Sequence, residues 1–398
     1  MTKNYSELSL SKIRIRRMIS EKPRILFIIH LPPPVHGAGK IGQYIYESIP
    51  VNNSFECFFI NLSTSDHLSE IGKQGIKKTI LILKLYLKVL KEIFIRRYDY
   101  CYMTINSKGA GFYKDMIIVL ILKILKYKMI YHYHNKGIAN VKKNWLNDKL
   151  YRIQFKNSRT ILLSKLLYGD IEKYVPEEMV YYCSNGIPQG ENVDIELLNS
   201  LRLQKNVPEL LFLSNMIREK GVFTLLEACK LLNLRGVMFR AVFIGAWSDI
   251  KEEDFMEYIV KNNLANYVTY AGKKYDDEKS SYFSNADIFV FPTFYTYETF
   301  GLVNLEAMLY GLSVITTDEG AISEVVEDNC NGFIVPKEDP QALADKIEFL
   351  IKNPSLRIEM GKKGRKRFEE KYTLTIFENN FVQIIKEIIS NFSLRSAE

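Results

Sequence analysis

Residues 291–308 read Phe291-Pro-Thr-Phe-Tyr-Thr-Tyr-Glu298-Thr-Phe-Gly301-Leu-Val-Asn-Leu-Glu306-Ala-Met308. The apolar run 288–291 stops at a proline and reads as a buried strand. An aromatic and polar loop follows, and then an apolar run over 303–310, closed by Gly311, reads as a helix. The loop would lie at the carboxyl edge of a parallel sheet, where open α/β folds bind ligands. Free N–H groups around Phe300, Gly301 and Leu302 would face that edge, and Gly301 has no side chain to obstruct close approach. Glu298 falls just before the helix and Glu306 about one turn into it, so both can border one pocket. Paired carboxylates beside an anion site suit a ligand with phosphates at one end and hydroxyls at the other. Taken singly, Glu306 also reads as an acid that complements the helix dipole.

The same alternation runs outward in both directions. Strands are predicted at 210–213, 240–244, 267–270 and 313–316, with helices at 222–232, 277–285 and a terminal one at 374–390. The front half opens with the apolar run 24–30 and continues with strands at 55–61, 100–105, 128–134 and 160–163. Helical periodicity occupies 40–48, 71–97 and 113–126. Between the halves, 183–208 turns polar and carries Pro188, Gly190 and Pro208, which predicts an interdomain linker. The fold class is therefore α/β, with two Rossmann-like domains facing each other across a cleft.

Composition sets the outer limits. The chain has 398 residues, 47% hydrophobic and 25% charged, which fits two globular domains and excludes wholesale disorder. The longest apolar run, 116–122, is far short of the roughly 20 residues that span a bilayer. The polar, basic stretch 1–22 lacks the apolar core of a secretory signal. Five scattered cysteines, Cys57, Cys101, Cys183, Cys229 and Cys330, indicate neither a disulfide framework nor a zinc site, and a reducing cytoplasm is expected. Charge is lopsided: residues 1–200 carry 30 Lys and Arg against 17 Asp and Glu, and residues 201–398 carry 24 against 29. The basic front half favours an anionic surface, phospholipid or nucleic acid. No recognisable nucleic-acid module accompanies it, so no nucleic-acid partner is expected.

Gly37-Ala-Gly39-Lys-Ile-Gly42 satisfies the G-x-G-x-x-G dinucleotide fingerprint, which keeps an NAD-dependent oxidoreductase as an alternative. Three prolines separate it from the strand, however, and Glu56 stands near the start of the next strand rather than at its end. His132-Tyr-His134 places two imidazoles on one strand face, either as a metal pair or as plain strand-end histidines; no further ligands stand at a telling spacing. In the segment 72–97, Lys77, Lys84, Lys88 and Lys91 recur at helical spacing with Leu81, Ile82 and Leu85 between them. Such a basic amphipathic helix either lies on anionic lipid or is a solvated face over a buried stripe.

Glu298-x7-Glu306, with Phe300-Gly301 between and Glu-Ala-Met after, resembles the E-x7-E signature of the GT4 family of retaining glycosyltransferases. Pro32-x4-Gly37-x-Gly39, Asn185-Gly186-Ile187, Glu219-Lys220-Gly221-Val222, Gly320-x3-Glu324 and Asn331-Gly332 follow the same pattern in order. The resemblance runs from about 23 to 372. It implies a GT-B fold: residues 1–190 as the acceptor domain, 191–372 as the nucleotide-sugar donor domain, and 373–398 as a helix crossing back to the first domain. It further implies that Glu298 contacts the donor sugar hydroxyls and Glu306 the ribose. Backbone N–H groups at Phe300, Gly301 and Leu302 would serve the sugar and diphosphate. Lys220 would neutralise the diphosphate, Gly39 would line the phosphate and acceptor side, and His134 would contact the donor sugar. The family commonly has an arginine where this chain has Asn215, and Arg218 is the candidate replacement. No Asp-x-Asp occurs, and a cofactor-free, metal-independent transfer to a glycan or lipid-linked acceptor is the implied chemistry. Lipid-linked acceptors would place the enzyme peripherally on the inner face of the cell membrane. A non-catalytic nucleotide-sugar binder is the further alternative.

Overall fold

A computed structural model describes residues 22–33, 37–64, 76–141, 144–190, 193–274 and 276–394. The stretch read as lacking a signal (up to 21), Pro34, Val35 and His36, and the start of the basic segment (72–75) lie outside the described residues, as does the side chain of Lys77. Among the described residues twelve strands form two six-stranded sheets, both parallel throughout.

The first sheet comprises β1 (Arg24–Ile29), β2 (Glu56–Asn61), β3 (Tyr100–Thr104), β4 (Lys128–His132), β5 (Ser158–Leu162) and β6 (Val180–Tyr182), in the order β2-β1-β3-β4-β5-β6. The inner strands β1, β3 and β4 are buried on both faces and read as nearly continuous apolar runs, whereas the edge strand β2 is mostly half-buried. The second comprises β7 (Glu209–Leu213), β8 (Arg240–Ile244), β9 (Val268–Tyr270), β10 (Ile288–Phe291), β11 (Ser313–Thr317) and β12 (Gly332–Val335), in the order β12-β11-β10-β7-β8-β9. Strand order reverses between β1 and β3 in one sheet and between β7 and β10 in the other. Those are the two places where a crevice opens at the carboxyl edge of an α/β sheet. With this two-sheet architecture the molecule has the GT-B fold.

The helix Leu374–Leu394 packs on the first sheet, with Phe377, Phe381, Ile385 and Ile388 buried against Ile25, Phe27, Tyr102 and Ile130. The crossing is tied by backbone bonds from Ile187 N–H to the Tyr372 carbonyl (3.0 Å) and from Leu374 N–H to the Ile187 carbonyl (2.8 Å). At Gly186 a Cβ would meet the Thr373 carbonyl oxygen at 2.4 Å, which accounts for glycine in Asn185-Gly186-Ile187.

Two expectations change. The stretch read as linker contains the helix Ile195–Leu203, whose buried Arg202 donates to the carbonyls of Ala286 (2.8 Å), Tyr310 (3.0 Å) and Phe283 (3.2 Å). Only Asn199 and Arg202 of this helix are buried, and these bonds anchor it to the second domain. The strand predicted to reach 134 stops at His132, so His134 stands on the loop beyond the sheet edge.

Candidate active site

The loops that leave β7 and β10 are pressed together by backbone contacts. Phe294 N–H donates to the Glu219 carbonyl at 2.7 Å. Gly221 adopts a left-handed conformation (φ 87°), and a Cβ there would meet the Pro292 carbonyl oxygen at 2.2 Å. This packing aims Lys220, at the end of the short turn Arg218–Lys220, across the β10 loop. Its Nζ lies 2.5 Å from Glu298 Oε2 and 4.3 Å from the centroid of the Tyr295 ring.

Glu298 is held from its other side by the helix that follows. Its Oε1 accepts from Gly301 N–H (3.1 Å) and Thr299 N–H (3.2 Å). Gly301, at φ 66°, is the left-handed residue that opens the helix Leu302–Leu309. One correction follows: of the N–H groups expected to be free, that of Gly301 is already taken by the Glu298 carboxylate, an anion placed where the helix dipole favours it. Burial by itself would raise the Glu298 pKa. The Lys220 charge and hydrogen bond, with the two N–H groups, outweigh burial and hold it below the ordinary carboxylate value.

Glu306 lies deeper in the same helix. Its Oε1 is 2.5 Å from Lys279 Nζ, while Oε2 is buried with no hydrogen-bond partner. Lys279 was not anticipated: it comes from the helix Asp276–Asn285, 27 residues away in sequence, and nothing local marks it.

The N-terminal domain closes the site. Thr299 Oγ1 donates to the His134 carbonyl at 3.0 Å, so the Glu298 loop touches the loop after β4. Lys136 pairs with Glu319, which also binds Lys337 at 2.7 Å, a second tie between the domains. Lys108 lies over the Tyr297 ring, 3.8 Å from its centroid. His132 sits behind His134 with ring centroids 4.2 Å apart, and its Nδ1 is 2.6 Å from the Tyr102 hydroxyl. Burial, and then its neighbour His134, push the His132 pKa well below the ordinary value, so it is a neutral core residue. Among the described residues no third metal-ligating side chain joins the two histidines.

One cavity of about 980 Å³ gathers His134, Lys220, Lys279, Glu298, Phe300, Gly301, Leu302 and Glu306. Arg218 does not join them: it is exposed, with its guanidinium 4.5 Å from the centroid of the Phe223 ring. Gly39 is buried inside the helix Gly37–Glu47, and Gly37 and Ala38 line the cavity instead. The glycine fingerprint resolves similarly. At Gly42 a Cβ would meet the His30 carbonyl oxygen at 2.0 Å, so that glycine serves helix–strand packing. Glu56 is bound to Arg24 (2.8 Å) at the amino ends of β1 and β2, the opposite edge from a dinucleotide's ribose.

A second surface lies on the N-terminal domain. In the helix Ile76–Ile95, Leu85, Val89 and Ile93 face the core, so Leu85, expected between the lysines, is a core residue. A separate row faces outward: Ile76 (83% exposed), Ile80, Leu83, Leu87 and Phe94 (79%), beside exposed Lys84, Lys88 and Lys91. Ile117, Ile124 and Trp145 are also exposed. Among the described residues no helix is long and apolar enough to cross a membrane.

Two crevice-forming sheets, with Glu298 at a helix start and Lys220 against it, place this cleft in a protein of GT-B fold. The sequence comparisons narrow the class. Residues 194–367 match the family described as "Glycosyl transferases group 1". The chain is 35% identical over 223 residues to the capsular polysaccharide biosynthesis glycosyltransferase CapM of Staphylococcus aureus, covering 54% of this chain and 56% of that one. It is 24% identical over 329 residues to the amylovoran biosynthesis glycosyltransferase AmsK of Erwinia amylovora, covering 80% and 77%. The chain thus spans about half the length of CapM. Among solved structures it is similar to HepE of Anabaena in complex with UDP, with a TM-score of 0.70 at 18% identity over 92% of this chain and 100% of that one. Residues 194–367 are thus similar to the group 1 glycosyl transferases, and the chain as a whole shares the fold of the solved structure.

Proposed function

We propose that the protein is a retaining glycosyltransferase that moves a sugar from a nucleoside-diphosphate sugar to a hydroxyl of a glycan or lipid-linked acceptor, in the assembly of a surface polysaccharide. The observation that carries this reading is the pair of carboxylate–lysine contacts, Glu298–Lys220 and Glu306–Lys279, on one wall of the cleft opposite His134. Breaking the sugar–phosphate bond builds negative charge on the departing diphosphate. In this reading Lys220 and the start of the helix Leu302–Leu309 would stabilise that charge, with no metal ion required. Glu298 would exchange one of its present bonds for sugar hydroxyls, and the unpartnered Oε2 of Glu306 is an acceptor for the ribose. His134 would contact the donor sugar from the facing domain.

UDP is the first expectation for the nucleotide and GDP the second; the UDP bound to HepE, a protein of similar fold, favours that order. The names of CapM and AmsK favour capsule or exopolysaccharide as the product. The outward apolar row of the helix Ile76–Ile95, flanked by lysines, would rest on the anionic inner face of the cell membrane and present the cleft to a lipid-linked acceptor. A thermal-shift panel of UDP, GDP, ADP, dTDP and NAD in the presence of EDTA tests the donor site. At 100 times its dissociation constant a ligand adds about 2.7 kcal/mol of stability. Stabilisation by one nucleoside diphosphate is expected; a shift with NAD alone would return the oxidoreductase reading.

A further inference from the structure

Resting on that donor reading, we infer that Lys136 and Glu319 are a positioning pair: their contact across the two domains sets where His134 stands relative to Glu298, the two groups placed against the donor sugar from facing walls. Neither Lys136 nor Glu319 lines the cavity. Glu319 follows β11 in the second domain and is buried. It accepts from Lys136, which follows β4 in the first domain, and from Lys337 at 2.7 Å. Lys337 follows β12, in the same domain as Glu319, and its single charge already balances the carboxylate. The second domain therefore needs no further cation here, and the task left to Lys136 is between the domains. Burial by itself would raise the Glu319 pKa. The hydrogen bonds and charges of Lys136 and Lys337 outweigh burial and hold the carboxyl below its ordinary value, so the contact is ionic at neutral pH.

Both ends of the pair are joined firmly to the site. On the first domain, the segment that carries His134 and Lys136 is held by its neighbours. Ser107 donates from its N–H to Asn135 Oδ1 (2.7 Å) and from its hydroxyl to the Lys136 carbonyl (2.8 Å). The Asp170 carboxylate accepts from the N–H groups of Gly137 (2.9 Å), Ile138 (3.1 Å) and Ala139 (2.9 Å). A displacement of Lys136 is therefore passed to His134, two residues away. On the second domain, Ala321 N–H donates to the Thr299 carbonyl at 2.7 Å. A Cβ on Gly320 would meet the carbonyl oxygens of Glu298 at 2.5 Å and Thr299 at 2.8 Å. The Glu319 loop thus lies against the backbone of the residue whose carboxylate faces Lys220. The bond from Thr299 Oγ1 to the His134 carbonyl closes a circuit through His134, Lys136, Glu319 and Thr299. One hydrogen bond leaves two domains free to pivot about it, whereas two contacts spaced along the same pair of loops do not. A displacement of about 1 Å between reacting groups costs about 10²-fold in rate.

The experiment compares wild type with Lys136→Met, Glu319→Gln, the variant carrying both, and Lys337→Met. Release of nucleoside diphosphate from the nucleotide sugar gives kcat and KM separately, calorimetric titration gives the nucleoside diphosphate Kd, and melting curves show that each variant is folded. Lys136→Met and Glu319→Gln should each lower kcat by about 10–10²-fold with the nucleoside diphosphate Kd unchanged. The double variant should be no slower than the slower single one, because the two side chains act as one unit. Lys337→Met removes the partner from within the domain and should keep the wild-type kcat. A tie that serves stability alone would lower the melting temperature and leave kcat as it was. Wild-type kcat in a folded Lys136→Met, single losses that multiply in the double variant, or an equal loss in Lys337→Met would each overturn the inference. Lys136 is half-buried on a loop, so its variant carries the test even if Glu319→Gln does not fold. If wild type turns over no nucleotide sugar, the donor reading fails separately, and amide hydrogen exchange over Thr299–Gly301 then reads the pair. Faster exchange in Lys136→Met and Glu319→Gln but not in Lys337→Met upholds the coupling, and any other pattern overturns it.

Discussion

Replacing Lys220 by alanine separates stability from catalysis at this site. Lys220 and Glu298 meet at 2.5 Å with 13% and 14% of their side chains exposed. Removing one member of a fully buried pair costs about 3–5 kcal/mol because the survivor is stranded. Glu298 is not stranded, since the N–H groups of Gly301 and Thr299 still hold its other oxygen and the cavity admits water. The expected loss is about 1–2 kcal/mol, which leaves the fold intact. The rate should suffer more: deleting one group aimed at developing charge lowers turnover by about 10²–10³. The sign of the pH dependence provides an independent check. In the wild type the Glu298 pKa is depressed, so the pair's contribution is complete above the ordinary carboxylate value of 4.5 and disappears as pH falls through the lower folded value. The melting-temperature gap between wild type and Lys220→Ala should therefore be open above pH 4.5 and close on acidification. Without Lys220 burial dominates, so the acid limb of the rate profile should move to higher pH. The assay is release of nucleoside diphosphate from the nucleotide sugar, alongside melting curves from pH 3 to 8 in common buffers. Full turnover by a folded Lys220→Ala would refute the leaving-group role, and a gap unchanged at pH 3 would refute the ion-pair argument.

Three further outcomes are expected. Glu306→Ala should weaken nucleoside diphosphate binding about tenfold in a calorimetric titration while the protein stays folded, and undiminished affinity would remove Glu306 from the ribose. Gly301→Ala should cost about 1–2 kcal/mol for the left-handed backbone, and more because the new Cβ would lie 2.7 Å from Asn304 Nδ2; a urea midpoint equal to wild type would contradict this. Leu83→Asp/Leu87→Asp, on the outward face, should abolish sedimentation with anionic vesicles at low salt and leave the melting temperature within a few degrees, whereas retained vesicle binding would place the membrane contact elsewhere.

Much of this architecture was legible before any coordinates. Apolar runs marked most strands correctly, because a strand buried on both faces must be nearly continuous apolar sequence. The strand–loop–helix unit around Glu298 was equally plain, since its caps and its glycine are local chemistry. The helices Pro340–Lys352 and Pro354–Lys371 were passed over although Asp339 and Asn353 precede prolines at their starts. The helix Ile195–Leu203 was hidden because its burial depends on carbonyls about 81 to 109 residues away.

Local order, then, determined the two sheets, the Glu298–Gly301 turn and the carboxylates that border it, because each of these is specified by residues within a few turns of one another. The partners of those groups were decided by tertiary structure alone. Lys279 reaches Glu306 across 27 residues, Thr299 reaches the His134 carbonyl across 165, and Lys136 reaches Glu319 across 183. Lysines 40, 78, 108 and 114 look unremarkable in a basic half-chain. Lys40, Lys78 and Lys108 line one cavity because a parallel sheet delivers the start of every following helix to the same edge, so that charges scattered along the sequence meet in a single cleft.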